Sequence, residues 1–295
     1  MQRTTLATRC LILSLFLALA SCRPLAESAT RASSTTETAS RLPVQTEAAS
    51  TSTSSTQIQI WHPAPGTTWQ WQLDAPVDES VNAQVFDIDL FANDAAVVAA
   101  LHAKGAKVIC YTSVGSREDW RPDANQFPKE IVGKNYPGWP GEKFLDIRQI
   151  DKLAPIILAR LDMCKAKGFD AIEPDNIDTY NTDTGFPLTY EDQLKYNRWL
   201  IEQAHARGLS IGMKNDSDQV ADLVNDFDWA LTEDCFYQNW CKQMKPFIQQ
   251  GKAVFTAEYT DTGITLDDFC PQAKEIEFSA IFKNRDLSAF RKTCP

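Results

Sequence analysis

From residue 57 onward, short apolar runs alternate with amphipathic segments. Nine runs recur along the chain: TWQWQL, QVFDIDLF, KVICYTS, KFLDI, FDAIEPD, LSIGMKN, FDWALTE, KAVFTAEY and FSAIFKN. Ala103-Lys104-Gly105, Ala166-Lys167-Gly168, Ala206-Arg207-Gly208 and Gln250-Gly251 each stand just before one of them, with at most one residue between. A glycine in that place takes the left-handed conformation that ends a helix. The segments before these glycines carry helical spacing, as in Val97/Val98/Leu101 and Leu194/Trp199/Leu200. Thr189-x-x-Asp192 predicts a capping box opening the helix that runs to Ala206. Near-continuous apolar strands alternating with helices predict an α/β fold, a parallel sheet covered on both faces. Eight strands close a (β/α)8 barrel of the TIM type, and the 239 residues from 57 to 295 are a typical size for one. Nine runs are one too many. No helical segment separates the first two, so TWQWQL or the last run is expected to be an accessory strand. A doubly wound open sheet is the alternative, but no G-x-G-x-x-G or P-loop supports it.

The chain before residue 57 follows neither period. Arg3 and Arg9 precede a short apolar run, Leu11 to Leu19, that ends at Ala20-Ser21-Cys22. The run is too short to span a bilayer comfortably, and it reads as a signal peptide over residues 1–21. Leu19-Ala20-Ser21-Cys22 resembles a bacterial lipobox, which implies lipidation of Cys22 and anchoring to a membrane surface. An ordinary cleaved signal would instead give a secreted protein. Residues 22–56 read as a disordered linker. Sixteen of the 34 residues from 23 to 56 are Ser or Thr and none is aromatic, too little apolar surface to offset the entropy of ordering. As a flexible coil such a segment reaches roughly 30–35 Å. The expected location is outside the cytoplasm, on a cell membrane or outer membrane, or free.

Charge and cysteine use fit export. Lys plus Arg is 29 against Asp plus Glu 39, a net charge of −10, and removing Arg3 and Arg9 with the signal leaves −12. Such an excess does not suit nucleic acid, which needs a basic face, and points to a neutral or cationic partner. His62, His102 and His205 are scattered without metal-ligand spacing, so no metal or cofactor is expected. Beyond Cys22 six cysteines remain, an even number that suggests disulfides in an exported domain. Cys235 and Cys241 are close enough in sequence to bridge locally, and Cys270 with Cys294 would staple the C-terminal end. Cys110 and Cys164 are then either a third bridge or buried free thiols.

Polar residues gather at the ends of the runs, where a barrel carries its active site. They are Asp87 and Asp89, Tyr111 and Ser113, Asp146 and Arg148, Glu173 and Asp175, Lys214, Glu233, and Glu258 with Tyr259. Residues two apart on a strand share a face, so Glu173 aligns with Asp175. Two carboxylates flanking one bond perform glycoside hydrolysis. Trp120, Trp139, Trp240 and Tyr259 are placed to stack on sugar rings. Asp175-Asn176-x-Asp178 departs from a calcium-loop pattern.

WQWQL, FDIDLF, KVICYTSVGSREDWRPD, GWPGEKFLDIR, FDAIEPDNID, LTYEDQLKYNRWL, LSIGMKND, FDWALTEDCF and AEY, in that order, resemble the endo-α-1,4-polygalactosaminidases of glycoside hydrolase family 114. The resemblance covers nearly all of residues 61–260. It implies a (β/α)8 barrel that cleaves α-1,4-linked galactosamine-containing exopolysaccharide without a cofactor, as a monomer, on a cationic or partly acetylated polymer. By the same resemblance Asp175 of EPDN is the nucleophile and Glu233 of TED the general acid/base, acting with retention. Asp87, Asp89, Tyr111, Arg148, Glu173, Asn176, Lys214, Glu258 and Tyr259 would serve the sugar subsites. Two departures stand out: Phe169 and Cys164 where similar sequences often place a cysteine directly before Asp-x-x-Glu-Pro, and TEDCF for the common NEQCF. A different class, an inactive polysaccharide-binding surface lipoprotein on the same barrel, would need a broken catalytic pair, and here both carboxylates are present.

Overall fold

The computed structural model describes residues 59–295. The expected signal, lipidation site and linker all lie outside the described residues.

Eight parallel strands form the wall of a barrel. They are β1 (Trp69–Gln72), β2 (Val85–Asp89), β3 (Lys107–Ser113), β7 (Ala171–Asp175), β8 (Ser210–Lys214), β9 (Trp229–Glu233), β10 (Val254–Tyr259) and β11 (Ser279–Lys283), hydrogen-bonded in that order. A ninth, β12 (Lys292–Thr293), lies antiparallel on β11. The sheet curls until β1 faces β11, where side chains make the closure: Trp69 Nε1 donates to Ser279 O at 2.7 Å and Lys283 Nζ to Gln70 Oε1 at 3.4 Å. Between these strands run α1 (Ala95–Ala103), α2 (Ile150–Lys167), α3 (Tyr190–Ala206), α4 (Val220–Leu223), α5 (Lys245–Gln249) and α6 (Leu266–Glu275). Among the described residues no helix is long and apolar enough to cross a membrane.

The extra run is KFLDI, not the first or the last. Its strand β6 (Glu142–Leu145) pairs antiparallel with β4 (Ser116–Glu118) and β5 (Val132–Asn135) in a small separate sheet inserted after β3. Arg160 on α2 ties this insertion to the barrel. Its guanidinium grips Asp123 through two bonds of 2.7 and 2.8 Å, donates to Ser113 O at 2.6 Å, and stacks on Phe91 and Phe127. TWQWQL is a wall strand, reached from β2 without a helix between.

Local signals explain the helices. Thr189 and Asp192 form the capping box of α3, and Thr265 with Asp268 forms another on α6. Gly168 ends α2 at φ 93°, a conformation costly for any residue with a Cβ. The core has two parts. Ile88, Val108, Ile172, Ile211 and their neighbours pack outward against the helices. Trp69, Trp71, Trp229, Phe255 and Ile281 fill the barrel interior. Gly212 makes room there, since a Cβ on it would lie 2.4 Å from the Trp229 ring.

Among the described residues three disulfides are present: Cys110–Cys164, Cys235–Cys241 and Cys270–Cys294. The first joins β3 to α2, so the two residues left open by the sequence are bridged, not free thiols.

Candidate active site

Lys214, the last residue of β8, is buried at the C-terminal mouth of the barrel and reaches three carboxylates. Its Nζ lies 2.9 Å from Glu173 Oε1, 2.8 Å from Asp175 Oδ1 and 3.1 Å from Glu233 Oε2. Strand alternation puts Glu173 and Asp175 on the same face of β7, and the neighbouring strands supply the other two groups. Burial by itself would lower the lysine pKa, but the charges of Asp175, Glu173 and Glu233 outweigh it and hold the ammonium well above its ordinary value. The Trp71 ring, 4.9 Å away, supports the ammonium from below.

Each outer carboxylate has a second donor. Tyr111 Oη donates to Asp175 Oδ2 at 3.0 Å, and Tyr259 Oη to Glu233 Oε1 at 2.5 Å. Burial, and then the adjacent carboxylate, pushes both phenols well above the usual tyrosine range, so each remains an O–H donor. Glu233 N–H donates to Asn215 Oδ1 at 3.0 Å, which fixes the end of β9. Because one nitrogen touches Asp175 Oδ1 at 2.8 Å and Glu233 Oε2 at 3.1 Å, these two oxygens stand within about 6 Å of each other.

Beneath this layer Asp87 and Glu173 form a buried carboxyl pair. Neither oxygen of Asp87, nor Glu173 Oε2, has a donor from another residue. Burial, and then the neighbouring Glu173, raises Asp87 well above the carboxylate range, so the pair holds a proton.

The β4–β6 insertion forms one side of the mouth. Arg121 Nη2 bridges Asp89 Oδ2 at 2.6 Å and Glu118 Oε1 at 2.8 Å. Glu142 accepts from Ser116 Oγ and from Asn176 Nδ2, the latter at 3.0 Å. Burial first, then Asp175 and Glu118, pushes Glu142 up to about 7 against those two bonds. Gly115 lets the insertion approach so closely, because a Cβ there would sit 1.7 Å from Asn176 O.

The mouth opens into a cleft of two lobes. The first, about 580 Å³, contains Trp71, Tyr111, Glu142, Asp175 and Lys214. The second, about 470 Å³, contains Tyr180, Asp216, Asp218, Asp234 and Trp240. Trp139, Asp178, Asn215, Glu233 and Arg285 border both. Trp120 and Trp139, roughly half exposed at 51% and 48%, stand on the rim.

The residues expected from the sequence divide accordingly. Asp175, Glu233, Lys214, Tyr111, Asp89 and Asn176 line the first lobe. Asp89 caps the backbone at Phe91 and Ala92 and orients Arg121. Asn176 spends its amide on Ser113, Ser116 and Glu142. Five expected subsite residues do not line the cleft. Asp87, Glu173 and Tyr259 are buried behind it, the last two holding Lys214 and Glu233. Glu258 faces the backbone, where its oxygens accept from Phe236 N–H at 2.8 Å and Tyr237 N–H at 3.1 Å, shaping the disulfide-closed loop after Glu233. Arg148 is held by Asp146 at 2.7 Å, away from the mouth. Trp71, Glu118, Arg121, Glu142, Asp178, Asp216 and Arg285 were not foreseen. The proline and glycine between KVICYTS and KFLDI were the available signal for the insertion that brings three of them.

A family model described as glycoside-hydrolase family GH114 matches residues 50–295. Aspergillus fumigatus Ega3, solved in complex with galactosamine, is 39% identical, with 79% of this chain and 97% of that one covered and a TM-score of 0.75. The glycoside hydrolase domain of PelA from Pseudomonas aeruginosa shares the fold at TM-score 0.59 and 14% identity, covering 77% of this chain and 97% of its own. A Deinococcus radiodurans protein is 26% identical over 221 residues, which is 66% of this chain and 70% of that protein.

Proposed function

We propose that this chain, which belongs to glycoside-hydrolase family GH114, hydrolyses α-1,4 links in a galactosamine-containing polysaccharide, with Asp175 as nucleophile and Glu233 as acid/base. The observation that carries the reading is the pair of carboxylates gathered on the Lys214 ammonium at the barrel mouth. A retaining pair stands about 5–5.5 Å apart, whereas an inverting pair needs roughly 6.5–9.5 Å to admit water. A spacing within about 6 Å supports retention. Galactosamine as the sugar is supported by the ligand of the Ega3 structure.

In the first step an Asp175 oxygen attacks the anomeric carbon while the glycosidic C–O bond breaks. Protonated Glu233 gives its proton to the leaving oxygen. In the second, Glu233 takes a proton from water, and the water oxygen displaces Asp175 from the same carbon. Tyr111 and Lys214 hold the attacking carboxylate, and Tyr259 holds the acid/base, so orientation is set before substrate arrives. The cleft's acidic surplus favours a polymer carrying free ammonium groups. The lipobox-like Leu19-Ala20-Ser21-Cys22 supports an exported enzyme held at a membrane surface by a lipid on Cys22.

The test is incubation of the protein with α-1,4-linked galactosamine polymer, read by mass spectrometry and by proton NMR of the first-formed anomer. Shorter oligomers with an initial α-anomer are expected. An untouched polymer would sink the activity, and an initial β-anomer would sink retention alone.

A further inference from the structure

The chemistry above leaves the second lobe unused, and that lobe contains a buried carboxyl group without a counter-ion. Asp216, 4% exposed, lines it from the loop after β8. Its Oδ2 accepts from Asn197 Nδ2 at 3.0 Å, but its Oδ1 has no partner. Its backbone is left-handed, at φ 41° and ψ 43°, a strained state for a residue with a Cβ. Asp234 Oδ1 and the Tyr180 hydroxyl, in the same lobe, also lack partners. The nearby cation Arg285 is already engaged by Asp234 Oδ2 at 2.7 Å and Asp261 at 2.8 Å. Burial, and then the charges of Asp178 and Asp218, pushes Asp216 up to about 9, as befits a carboxyl without a counter-ion. Among the described residues no three of these carboxylates come together at metal-ligand spacing. Their spread suits an extended organic cation better than a single ion.

The position of the two lobes gives that cation a place in the reaction. Asp175 belongs to the first lobe only, while Glu233 borders both. An acid that protonates the leaving oxygen must touch the leaving sugar, and that sugar lies on the side away from the nucleophile. We propose that the second lobe is the leaving-group subsite, and that Asp216 with Tyr180 selects there a hexosamine whose amine is free. This rests on the roles assigned to Asp175 and Glu233. An ammonium brings the charge and the donors that Asp216 lacks. An acetamide is neutral and bulkier, and it supplies no charge to stabilise an ionised Asp216 in a dry wall. A site built to bond a polar group rejects the analogue without it far better than an apolar pocket rejects a misfit.

The experiment digests a partly N-acetylated α-1,4-galactosamine polymer in H₂¹⁸O, which labels each new reducing end. The unlabelled new non-reducing end then reports the sugar that occupied the leaving side. Free amines are expected at nearly all new non-reducing ends. Asp216→Asn should raise the N-acetyl share there roughly tenfold or more, with the labelled reducing ends unchanged. Tyr180→Phe should move it the same way to a smaller extent, and it decides the matter should thermal unfolding show the Asp216 variant misfolded. N-acetyl groups at new non-reducing ends of the unmodified enzyme's products in proportion to their abundance would overturn the inference, as would a shift confined to the reducing ends. A polymer left intact by the unmodified protein would overturn the proposed activity itself.

Discussion

The two lobes of the cleft handle charge in opposite ways. In the first, Asp175 and Glu233 share Lys214, Asp89 and Glu118 share Arg121, and Glu142 rests on Ser116 and Asn176. In the second, Asp216 and Asp234 each keep an oxygen without a donor, and Tyr180 keeps an idle hydroxyl. The roles proposed for the two lobes account for the difference. Carboxylates with built-in partners are fixed in space before anything binds, which bond-breaking demands. A buried carboxylate without a partner is costly in the empty protein, and the cost is recovered only when a ligand supplies the missing charge.

Three variants press on that contrast. The largest effect belongs to Asp175→Asn, which keeps the shape of the first lobe but removes the proposed nucleophile. Turnover should fall on the order of 10³-fold or more, about 4 kcal/mol of barrier. Circular dichroism should be unchanged, and wild-type turnover in this variant would reassign the nucleophile. Next comes Lys214→Met, which strands three carboxylates around an apolar chain. Breaking a buried ion pair from one side costs about 3–5 kcal/mol, so the denaturant midpoint should drop along with activity. A midpoint that stays put would show that the lysine does not hold the first lobe together.

The smallest effect is Asp216→Asn on stability, and its sign is opposite. A carboxyl held near 9 in the folded chain, against 3.8 as its ordinary value, binds its proton more tightly folded than unfolded. Its contribution to stability is therefore complete at low pH and is lost as pH rises from about 4 towards 9. The asparagine variant should match the parent near pH 4 and melt higher near pH 8, by differential scanning calorimetry. Equal melting temperatures at both pH values would mean that the second lobe's charge is compensated after all.

Much of this was legible in the sequence because a barrel places its chemistry by rule. Asp175, Lys214, Glu233 and Tyr259 end their strands and Tyr111 lies two residues from the end of β3, so finding the strands found the residues. What failed was the reading of KFLDI, whose apolar pattern matches a wall strand. Pro122, Pro128, Pro137 and Pro140 before it admit no crossover helix, and that absence distinguishes an insertion from a repeat of the unit. Glu142 and Arg121 were lost with that misreading. Depth was not legible either. Whether Glu173 lines the cleft or stands behind it depends on which strands lean together, and alternation along one strand says only that it shares a face with Asp175. Asp216 lies one step further out, in a loop whose left-handed backbone no pattern in LSIGMKN announces.

The chain enters the barrel on the floor, not at the rim. His62 Nδ1 lies 3.2 Å from Asp228, just ahead of β9, and Pro63 O accepts from Ala253 N–H at 2.8 Å, just ahead of β10. Trp61 packs against the interior aromatics from the same side. Residues 61–63 and the cleft thus lie at opposite ends of the barrel. A long polymer lying across the cleft therefore does not meet residues 61–63.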